Sequence, residues 1–477
     1  FVGVTSDKVT SHFTYDDAGM VSAYAGTHGN TQISRNASGK ITAVSYPGFS
    51  PSAITHDANG NITGYTFPGG ALSVKYLYDA RDRMTAMVIN NTDSVVHTLD
   101  ETGLIVKTRY PNQIVSSFSF DPNGSVEAIN HTRGGNAIIS FQFIRDAMGN
   151  IIKESRILPA GTGGTIIPAD TGGVFQSGNL ITQWQGNTYE NDADGNLRSI
   201  TGNNNYSFTH NSINLLTSMN MNGTVINFQY DSRGFIDSKK IATEDFTFLY
   251  DHLGRLILRK EANSGSTDYF IWDERTLVAM QNSTGTYYYL YNQVGSTMGL
   301  SDNNGNLVNV YNYNLWGKLT YQQETVSQPF KFCGALGVRE EFPDYYCMKR
   351  RFYNAQLGRF IEADQSGYAE GNNLYMYAGN NPQLYVDPQG LFKTDFYHQQ
   401  RMNERRDNKP VDPHQLVREL DNFATVCDVV SNWIPGAGVG SYWADYLEGK
   451  ASGAEAAGNI LKSYFTDVLF SAMGGKT

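Results

Sequence analysis

Two aspartates and one arginine in the last third of the chain have the types and spacing that hydrolytic chemistry uses. Arg351 is followed thirteen residues later by Asp364, and Asp387 begins the tetrapeptide Asp-Pro-Gln-Gly. If the fold brings the two carboxyl groups together and shields them from water, they cannot both ionise easily. One can then hold a proton while the other activates a water molecule, which is the chemistry of aspartic peptide hydrolysis. A nearby arginine can keep one of the pair charged.

The tetrapeptide from Asp387 to Gly390 also predicts a tight turn. Proline stands at its second position and glycine at its fourth, where both residues favour turns. The chain is therefore presented sharply at this point. These residues also fit an alternative in which both aspartates only cap turns with their own hydrogen bonds and Arg351 only pairs with one of them.

The elements that must position these groups are predicted by a repeat upstream. A motif of an aromatic or polar residue, Asp, two variable residues, Gly, a polar residue and an aliphatic residue recurs with starts at Tyr15, His56, Phe120, Arg145, Asn191, Tyr230 and Tyr250. The aspartates at 57, 79, 100 and 121 are 21 or 22 residues apart, and a fixed period of this size indicates a repeat architecture. Each Asp-x-x-Gly supplies a hairpin turn whose glycine can take a positive φ. A lone hairpin cannot bury its apolar face, so we expect stacked hairpins in one continuous sheet.

Composition agrees with a large β body. The 477 residues include 48 Gly, 30 Tyr and 25 Phe, with 40% hydrophobic and 17% charged residues. A net charge of −10 gives no footprint for nucleic acid or an anionic membrane, so we expect no nucleic acid on the body of the protein. The abundant tyrosines, including the run from Tyr287 to Tyr291, follow the strand period and favour packing over ligand stacking. No run of 18 apolar residues predicts a transmembrane segment.

The sequence predicts no metal site and no cofactor. The stretch from Glu190 to Gly195 looks like the start of a calcium loop, but its twelfth position is Thr201, where a bidentate glutamate is needed. Three cysteines are too few and too odd in number for a disulfide framework, and they suggest synthesis in a reducing cytoplasm. Because the sequence opens at Phe1 without an initiator methionine or a signal peptide, we expect an internal fragment or a processed product.

Composition changes after Leu391. Asp412-Pro413 is typical of a helix start, and apolar residues then recur at helical spacing as far as Trp433. A second apolar helical face is predicted over 451–470. The segment 392–477 is thus predicted to be small and α-helical. The sequence does not indicate which reaction this segment catalyses. Its basic cluster consists of His398, Arg401, Arg405 and Arg406, and it is best explained as a solvated helix face.

Four ordered motifs around the aspartates carry a family resemblance. They are PFKFCG at Pro329–Gly334, RFYNAQLGRFIEAD at Arg351–Asp364, NLYMYAGNNP at Asn373–Pro382 and DPQGL at Asp387–Leu391. Together they resemble the core domain that ends the shell of Rhs (YD-repeat) proteins, among them the C component of insecticidal Tc toxins and type VI secretion Rhs effectors. Two features depart from the family pattern: Gln365 replaces a proline, and residues 335–346 replace a conserved turn.

The resemblance implies a mainly β fold, in which the hairpin array spirals into a hollow shell that the core domain closes at one end. It implies a repeat shell over 1–328, a core with autoprotease activity over 329–391, and a C-terminal toxin or pre-toxin segment over 392–477. In such a family the core resembles an aspartic autoprotease that cuts after the last motif. Carried over by residue, the catalytic groups are Asp364, Asp387 and Arg351, and the cut falls between Leu391 and Phe392.

The resemblance also implies partners and a location. The enclosed cargo is the chain's own C-terminal segment, and further partners are a delivery or shell-closing protein (a secretion spike or a Tc-B-like component) and a cognate immunity protein. The protein is expected to be made in a bacterial cytoplasm and then secreted or delivered into a target cell. The alternative from another functional class is a structural or adhesive YD-repeat protein on the cell surface whose core does not cut.

Overall fold

A computed structural model describes residues 12–159, 172–367 and 371–395, and this part of the chain is almost entirely antiparallel β-sheet. Fourteen strands form a first sheet and sixteen form a second, and in each sheet the strands pair in chain order. Every strand therefore bonds to its neighbours in sequence, as consecutive hairpins require. The prediction of a β-hairpin array is confirmed, but within the described residues the hairpins form two large sheets instead of the one continuous sheet expected. The predicted C-terminal helices lie outside the described residues.

The strand bounds follow the repeats. The first sheet contains β1 Phe13–Tyr15, β2 Val21–Gly26, β3 Gly29–Arg35, β4 Ile41–Ser45, β5 Ser52–His56, β6 Ile62–Thr66, β7 Ser73–Tyr78, β8 Met84–Ile89, β9 Asp93–Leu99, β10 Ile105–Arg109, β11 Ile114–Phe120, β12 Val126–Arg133, β13 Asn136–Arg145 and β14 Ile151–Ile157. The second contains β15 Val174–Gln176, β16 Leu180–Trp184, β17 Asn187–Asn191, β18 Leu197–Thr201, β19 Tyr206–His210, β20 Leu216–Met221, β21 Thr224–Tyr230, β22 Ile236–Ile241, β23 Glu244–Tyr250, β24 Leu256–Glu261, β25 Thr267–Trp272, β26 Leu277–Asn282, β27 Gly285–Tyr291, β28 Thr297–Ser301, β29 Leu307–Tyr313 and β30 Leu319–Glu324.

Two small sheets follow. One has four strands, β31 Arg339–Phe342, β32 Tyr345–Met348, β33 Arg351–Asn354 and β34 Arg359–Phe360, and the other pairs β35 Tyr385–Val386 with β36 Thr394–Asp395. Within the described ranges the helices are single 3-10 turns at Ser177–Asn179, Gly334–Leu336 and Ala378–Asn380, so no described helix is long enough to cross a membrane. Residues 335–346, which depart from the family pattern, include the hairpin of β31 and β32.

The repeated Asp-x-x-Gly turn is built by its own side chains. In the turn after β23, Asp251 Oδ1 accepts the N–H groups of Leu253 and Arg255, each at 2.9 Å, and Arg255 Nε donates to Oδ2 at 2.7 Å. Gly254 takes a φ of +71°, which glycine tolerates without steric cost. A register shift just before the aspartate bends the strand into the turn. The local chemistry of one short motif thus sets each hairpin.

The tyrosine of the motif links one hairpin to the preceding one. Its hydroxyl donates to a backbone carbonyl 14 or 16 residues earlier, as in Tyr230 to Leu216, Tyr250 to Ile236, Tyr291 to Leu277, Tyr78 to Ile62 and Tyr313 to Thr297. A buried tyrosine needs such a partner for its hydroxyl while its ring packs in the core. Each repeat therefore supplies both a hairpin turn and a hydrogen bond from its tyrosine to the preceding hairpin.

The two large sheets pack against each other. Tyrosine hydroxyls and one histidine ring on the first sheet form hydrogen bonds with backbone carbonyl groups of the second sheet. The paired residues are 160 to 204 positions apart in the sequence: Tyr46 and Tyr250, Tyr76 and Trp272, Tyr110 and Tyr289, and His131 and Tyr291. Strands β26 to β28 are buried on both faces, and Tyr288 and Tyr289 are fully buried. The four-stranded sheet packs on the second large sheet, where Phe352 of β33 and Phe228 of β21 have ring centroids 5.3 Å apart. This packing fixes the segment that carries the aspartates.

Candidate active site

Arg351 occupies the centre of the site. It opens β33, a strand whose four residues are all buried. Its guanidinium carbon lies 3.7 Å from the centroid of the Phe360 ring, and only 1% of the side chain is exposed. Burying a cation this deeply is costly unless acceptors and opposite charges surround it. The partners of Arg351 therefore define the site.

The guanidinium binds four acceptors. Nε donates to the carbonyl of Gly390 at 2.6 Å, and Nη1 donates to the carbonyl of Leu374 at 2.9 Å. Nη2 lies 2.8 Å from Asp364 Oδ2 and 3.3 Å from Asp387 Oδ2. One nitrogen atom thus contacts both carboxylates. The structure therefore places Arg351, Asp364 and Asp387, the three residues predicted from the sequence, in contact with one another.

Asp364 is held in a fixed orientation. Its Oδ1 accepts the backbone N–H of Ser366 at 2.8 Å and the hydroxyl of Ser366 at 2.6 Å. Its own backbone N–H donates to the carbonyl of Leu374 at 3.0 Å. Burial raises the pKa of Asp364 above its ordinary value, while the Arg351 guanidinium and the Ser366 bonds oppose that rise.

Asp387 contacts the bond that the family resemblance predicts to be cut. The predicted turn is present, since the Gly390 N–H donates to the Asp387 carbonyl at 3.2 Å. Oδ1 accepts the N–H of Leu391 at 3.0 Å and the N–H of Phe392 at 3.2 Å. Burial raises the pKa of Asp387 to about 6; Arg351 and the two N–H donors oppose the rise, and neighbouring Asp364 adds to it. A carboxyl group of raised pKa therefore lies beside the nitrogen of the Leu391–Phe392 bond.

Gly390 allows the chain to approach the arginine closely. Its φ is +66°, and a Cβ atom added there would lie 2.6 Å from the carbonyl oxygen of Met348 and 3.0 Å from the backbone nitrogen of Arg351. Only a residue without a side chain fits this space and this backbone conformation. Beyond the turn, β36 pairs with β35, so the Leu391–Phe392 bond lies in the connection of a short hairpin.

A comparison with protein families identifies the fold. The model of the Teneurin YD-shell matches residues 112–383, which is more than half of the chain. This chain belongs to the Teneurin YD-shell family. The matched stretch includes Arg351 and Asp364 and ends four residues before Asp387. The recognition made from the four motifs is thereby confirmed.

Curated relatives resemble this YD-shell over part of their length. The tRNA nuclease WapA of Bacillus subtilis is 26% identical over 228 residues, which are 45% of this chain and 10% of WapA. The double-stranded DNA deaminase toxin A of Burkholderia cenocepacia is 24% identical over 347 residues, which are 61% of this chain and 22% of that toxin. The YD-shell described here thus spans between a tenth and a quarter of the length of these two relatives.

Solved structures show the same fold. A crystal structure of TcdB2-TccC3-TEV matches with a TM-score of 0.62 at 15% identity, covering 80% of this chain and 25% of the other. The Photorhabdus luminescens Tc holotoxin pore matches with the same TM-score and identity, covering 82% of this chain and 25% of that one. At this level of identity the likeness establishes the YD-shell fold.

Sequence reasoning missed a buried pair beside the aspartates of this YD-shell. Glu362 accepts the backbone N–H of Phe352 at 2.8 Å, and its other oxygen lies 3.3 Å from Nε2 of His210 in β19. Both side chains are almost fully buried. Glu362 therefore ties the strand of Arg351 to the segment of Asp364 and to the large sheet. Its position two residues before Asp364 was the available signal, but nothing local pointed to His210, 152 residues earlier.

An open cleft of about 490 Å³ lies elsewhere in the YD-shell, between the two large sheets. Its polar lining includes Arg233, which pairs with Asp231, and Asp237, which accepts the Thr27 N–H at 2.6 Å. The three residues Arg351, Asp364 and Asp387 are not among its lining residues. The cleft is therefore separate from the candidate active site.

Proposed function

We propose that this YD-shell cuts its own backbone between Leu391 and Phe392 by an aspartic mechanism. The observation that carries the proposal is the position of Asp387. Its Oδ1 lies 3.2 Å from the Phe392 nitrogen, and its Oδ2 shares one guanidinium nitrogen with Asp364. One carboxyl group is thus within proton-transfer distance of the nitrogen that must leave, and a second stands beside it.

The environments of the two carboxyl groups assign their roles. Asp387, whose pKa burial raises to about 6, is the proton donor. Asp364, whose oxygens are held by Arg351 and Ser366, is the base that deprotonates a water molecule. The water oxygen bonds to the Leu391 carbonyl carbon, which becomes tetrahedral. The C–N bond then breaks, and the Phe392 nitrogen takes the proton from Asp387 and leaves as an amine. The new Leu391 carboxyl group gives its proton to that amine, which leaves a carboxylate, an ammonium and an ionised Asp387, while Asp364 keeps the proton of the water.

Arg351 contacts both the carboxyl pair and the peptide unit that precedes Leu391. Its Nη2 atom contacts both carboxyl groups and stabilises the negative charge on the pair, while burial and the charge of Asp364 favour the protonated form of Asp387. Its Nε atom holds the Gly390 carbonyl, one peptide unit before Leu391. The scissile bond is tethered beside the carboxyl pair by the turn, so its effective concentration is very high and one turnover is enough.

The segment after the cut is proposed to be the cargo of the shell. Relatives with matching YD-shell segments are named as tRNA nucleases, a double-stranded DNA deaminase toxin and a toxin subunit, which supports a toxin or pre-toxin role for residues 392–477. We also propose, from the resemblance of the four motifs, a core with autoprotease activity over 329–391 and a repeat shell over 1–328 before it. Its target stays open, because the relatives named here differ in theirs.

Enclosure and delivery complete the proposal. The shell holds its own C-terminal segment after cleavage, a second protein closes or delivers the shell, and an immunity protein protects the producing cell. The fold shared with TcdB2-TccC3 supports the first two partners. The protein is made in a bacterial cytoplasm and then secreted or delivered to a target cell, in line with relatives named as toxins.

The cleavage proposal is tested by Asp364→Asn and Asp387→Asn, with Asp194→Asn on an exposed turn as the matched control. On a denaturing gel the parent and the control are expected to give two fragments, and each of the other two variants is expected to give the full-length chain with unchanged β-sheet circular dichroism. If either variant is cut as well as the parent, the assignment is wrong. An uncut parent would favour a structural or adhesive YD-repeat protein.

A further inference from the structure

The four residues that follow the proposed cut are bound to residues that precede it. Thr394 pairs with Val386 and Asp395 pairs with Tyr385 in the antiparallel register of β35 and β36. These backbone bonds join the two sides of the Leu391–Phe392 peptide without passing through it. Hydrolysis of that peptide leaves both partners in place.

The side chain of Lys393 adds a second contact of the same kind. It lies across Gly379: a Cβ atom added to this glycine would be 3.2 Å from Cδ and 3.1 Å from Nζ of the lysine. The ammonium lies 5.6 Å from the centroid of the Tyr385 ring. The aliphatic stem thus covers backbone while the charge rests near an aromatic face, which is a favourable arrangement for lysine.

The cut itself creates a third contact. In the intact chain the Phe392 N–H donates to Asp387 Oδ1 at 3.2 Å. After hydrolysis the same nitrogen is an α-amino group, which is positively charged at neutral pH. An ammonium at this distance from a buried carboxylate forms a charge-assisted hydrogen bond, which is stronger than the neutral bond it replaces.

We propose that residues 379–387 form a binding site that keeps the segment Phe392–Asp395 of the released fragment, which includes β36, docked after cleavage, with its new ammonium on Asp387. The inference rests on the cleavage proposed above. The recognition combines strand addition with capture of an N-terminal amine. Two consequences follow: the product occupies the carboxyl pair, so the shell stops after one turnover, and the cargo stays attached to the shell by its first residues.

Hydrogen exchange measured by mass spectrometry on the cleaved, undenatured protein tests the site. The backbone amides of 393–395 are expected to exchange about tenfold more slowly than in the urea-denatured fragment, because they remain in a paired strand. Thr394→Pro removes a strand donor and is expected to abolish this protection, whereas Thr394→Val, the matched control, keeps it. Lys393→Ala, which leaves the backbone intact, is expected to give intermediate exchange.

Each outcome decides between the two proposals. A cleaved parent whose residues 393–395 exchange as fast as the denatured fragment overturns the docking site and leaves the cleavage proposal standing. Equal protection in the proline, valine and alanine variants shows that enclosure alone slows exchange, and it also overturns the site. An uncut parent overturns the cleavage proposal and the docking site with it. If Thr394→Pro prevents cutting, the comparison of Lys393→Ala with the parent decides.

Discussion

Replacing Gly390 with alanine is expected to slow self-cleavage by interfering with the approach of the turn to Arg351. The left-handed conformation at φ +66° costs alanine about 1 kcal/mol. The added Cβ would also meet the Met348 carbonyl at 2.6 Å and the Arg351 nitrogen at 3.0 Å, and neither backbone atom can move away by changing rotamer. The turn must shift instead, and a displacement of about 1 Å slows a positioned reaction by about 100-fold, or about 2.7 kcal/mol of barrier.

Gly39 provides the matched control for this substitution. Its φ is +81°, and an added Cβ would meet nothing within 4 Å, so Gly39→Ala carries the same kind of backbone strain without the clash. Chains are made by pulse-labelled cell-free synthesis, and the full-length band is followed over time on a denaturing gel. Gly39→Ala is expected to cleave at close to the parent rate. Equal slowing of both variants, or of neither, would refute the reasoning from close approach.

Three further predictions follow from the site. The cleavage rate is expected to fall about tenfold per pH unit above the pKa of Asp387, about 6, because only the protonated carboxyl donates; a rate that stays flat or rises with pH would contradict this role. Arg351→Lys, made in the uncut Asp364→Asn background, is expected to lower the unfolding free energy by about 3 kcal/mol, since lysine keeps the charge but loses the fork that binds four acceptors. An unchanged urea midpoint would contradict it. Cleavage in cis is expected to have a half-time independent of protein concentration, and processing of an Asp364→Asn chain by added parent would disprove it.

Much of the fold was predictable because the contacts within a single repeat determine its hairpin turn. The turn at Asp251 is formed by bonds within five residues, and Gly254 has the positive φ that the motif predicts. Strand pairing in chain order follows from such turns. The packing of the two sheets was not predictable in the same way, since the bond from Tyr46 to Tyr250 joins residues 204 apart and leaves no local pattern.

The same distinction between local motifs and distant contacts applies to the candidate active site. Arg351, Asp364 and Asp387 were found because they stand in motifs within 37 residues of one another, and the structure places them in contact. Their catalytic roles stay a prediction. Glu362 and its partner His210 were missed, because a buried contact between residues 152 positions apart has no signature in spacing. The predicted helices after Leu391 and the basic cluster at 398–406 lie outside the described residues and stay predictions too.

The most direct test is an intact-mass measurement of the purified parent beside Asp387→Asn. The parent is expected to give two masses whose junction lies between Leu391 and Phe392, because Asp387 contacts the nitrogen of that bond. Asp387→Asn is expected to give one mass, that of the whole chain. A parent fragment that begins at another residue, or a variant cut at Phe392, would contradict aspartic self-cleavage at this site.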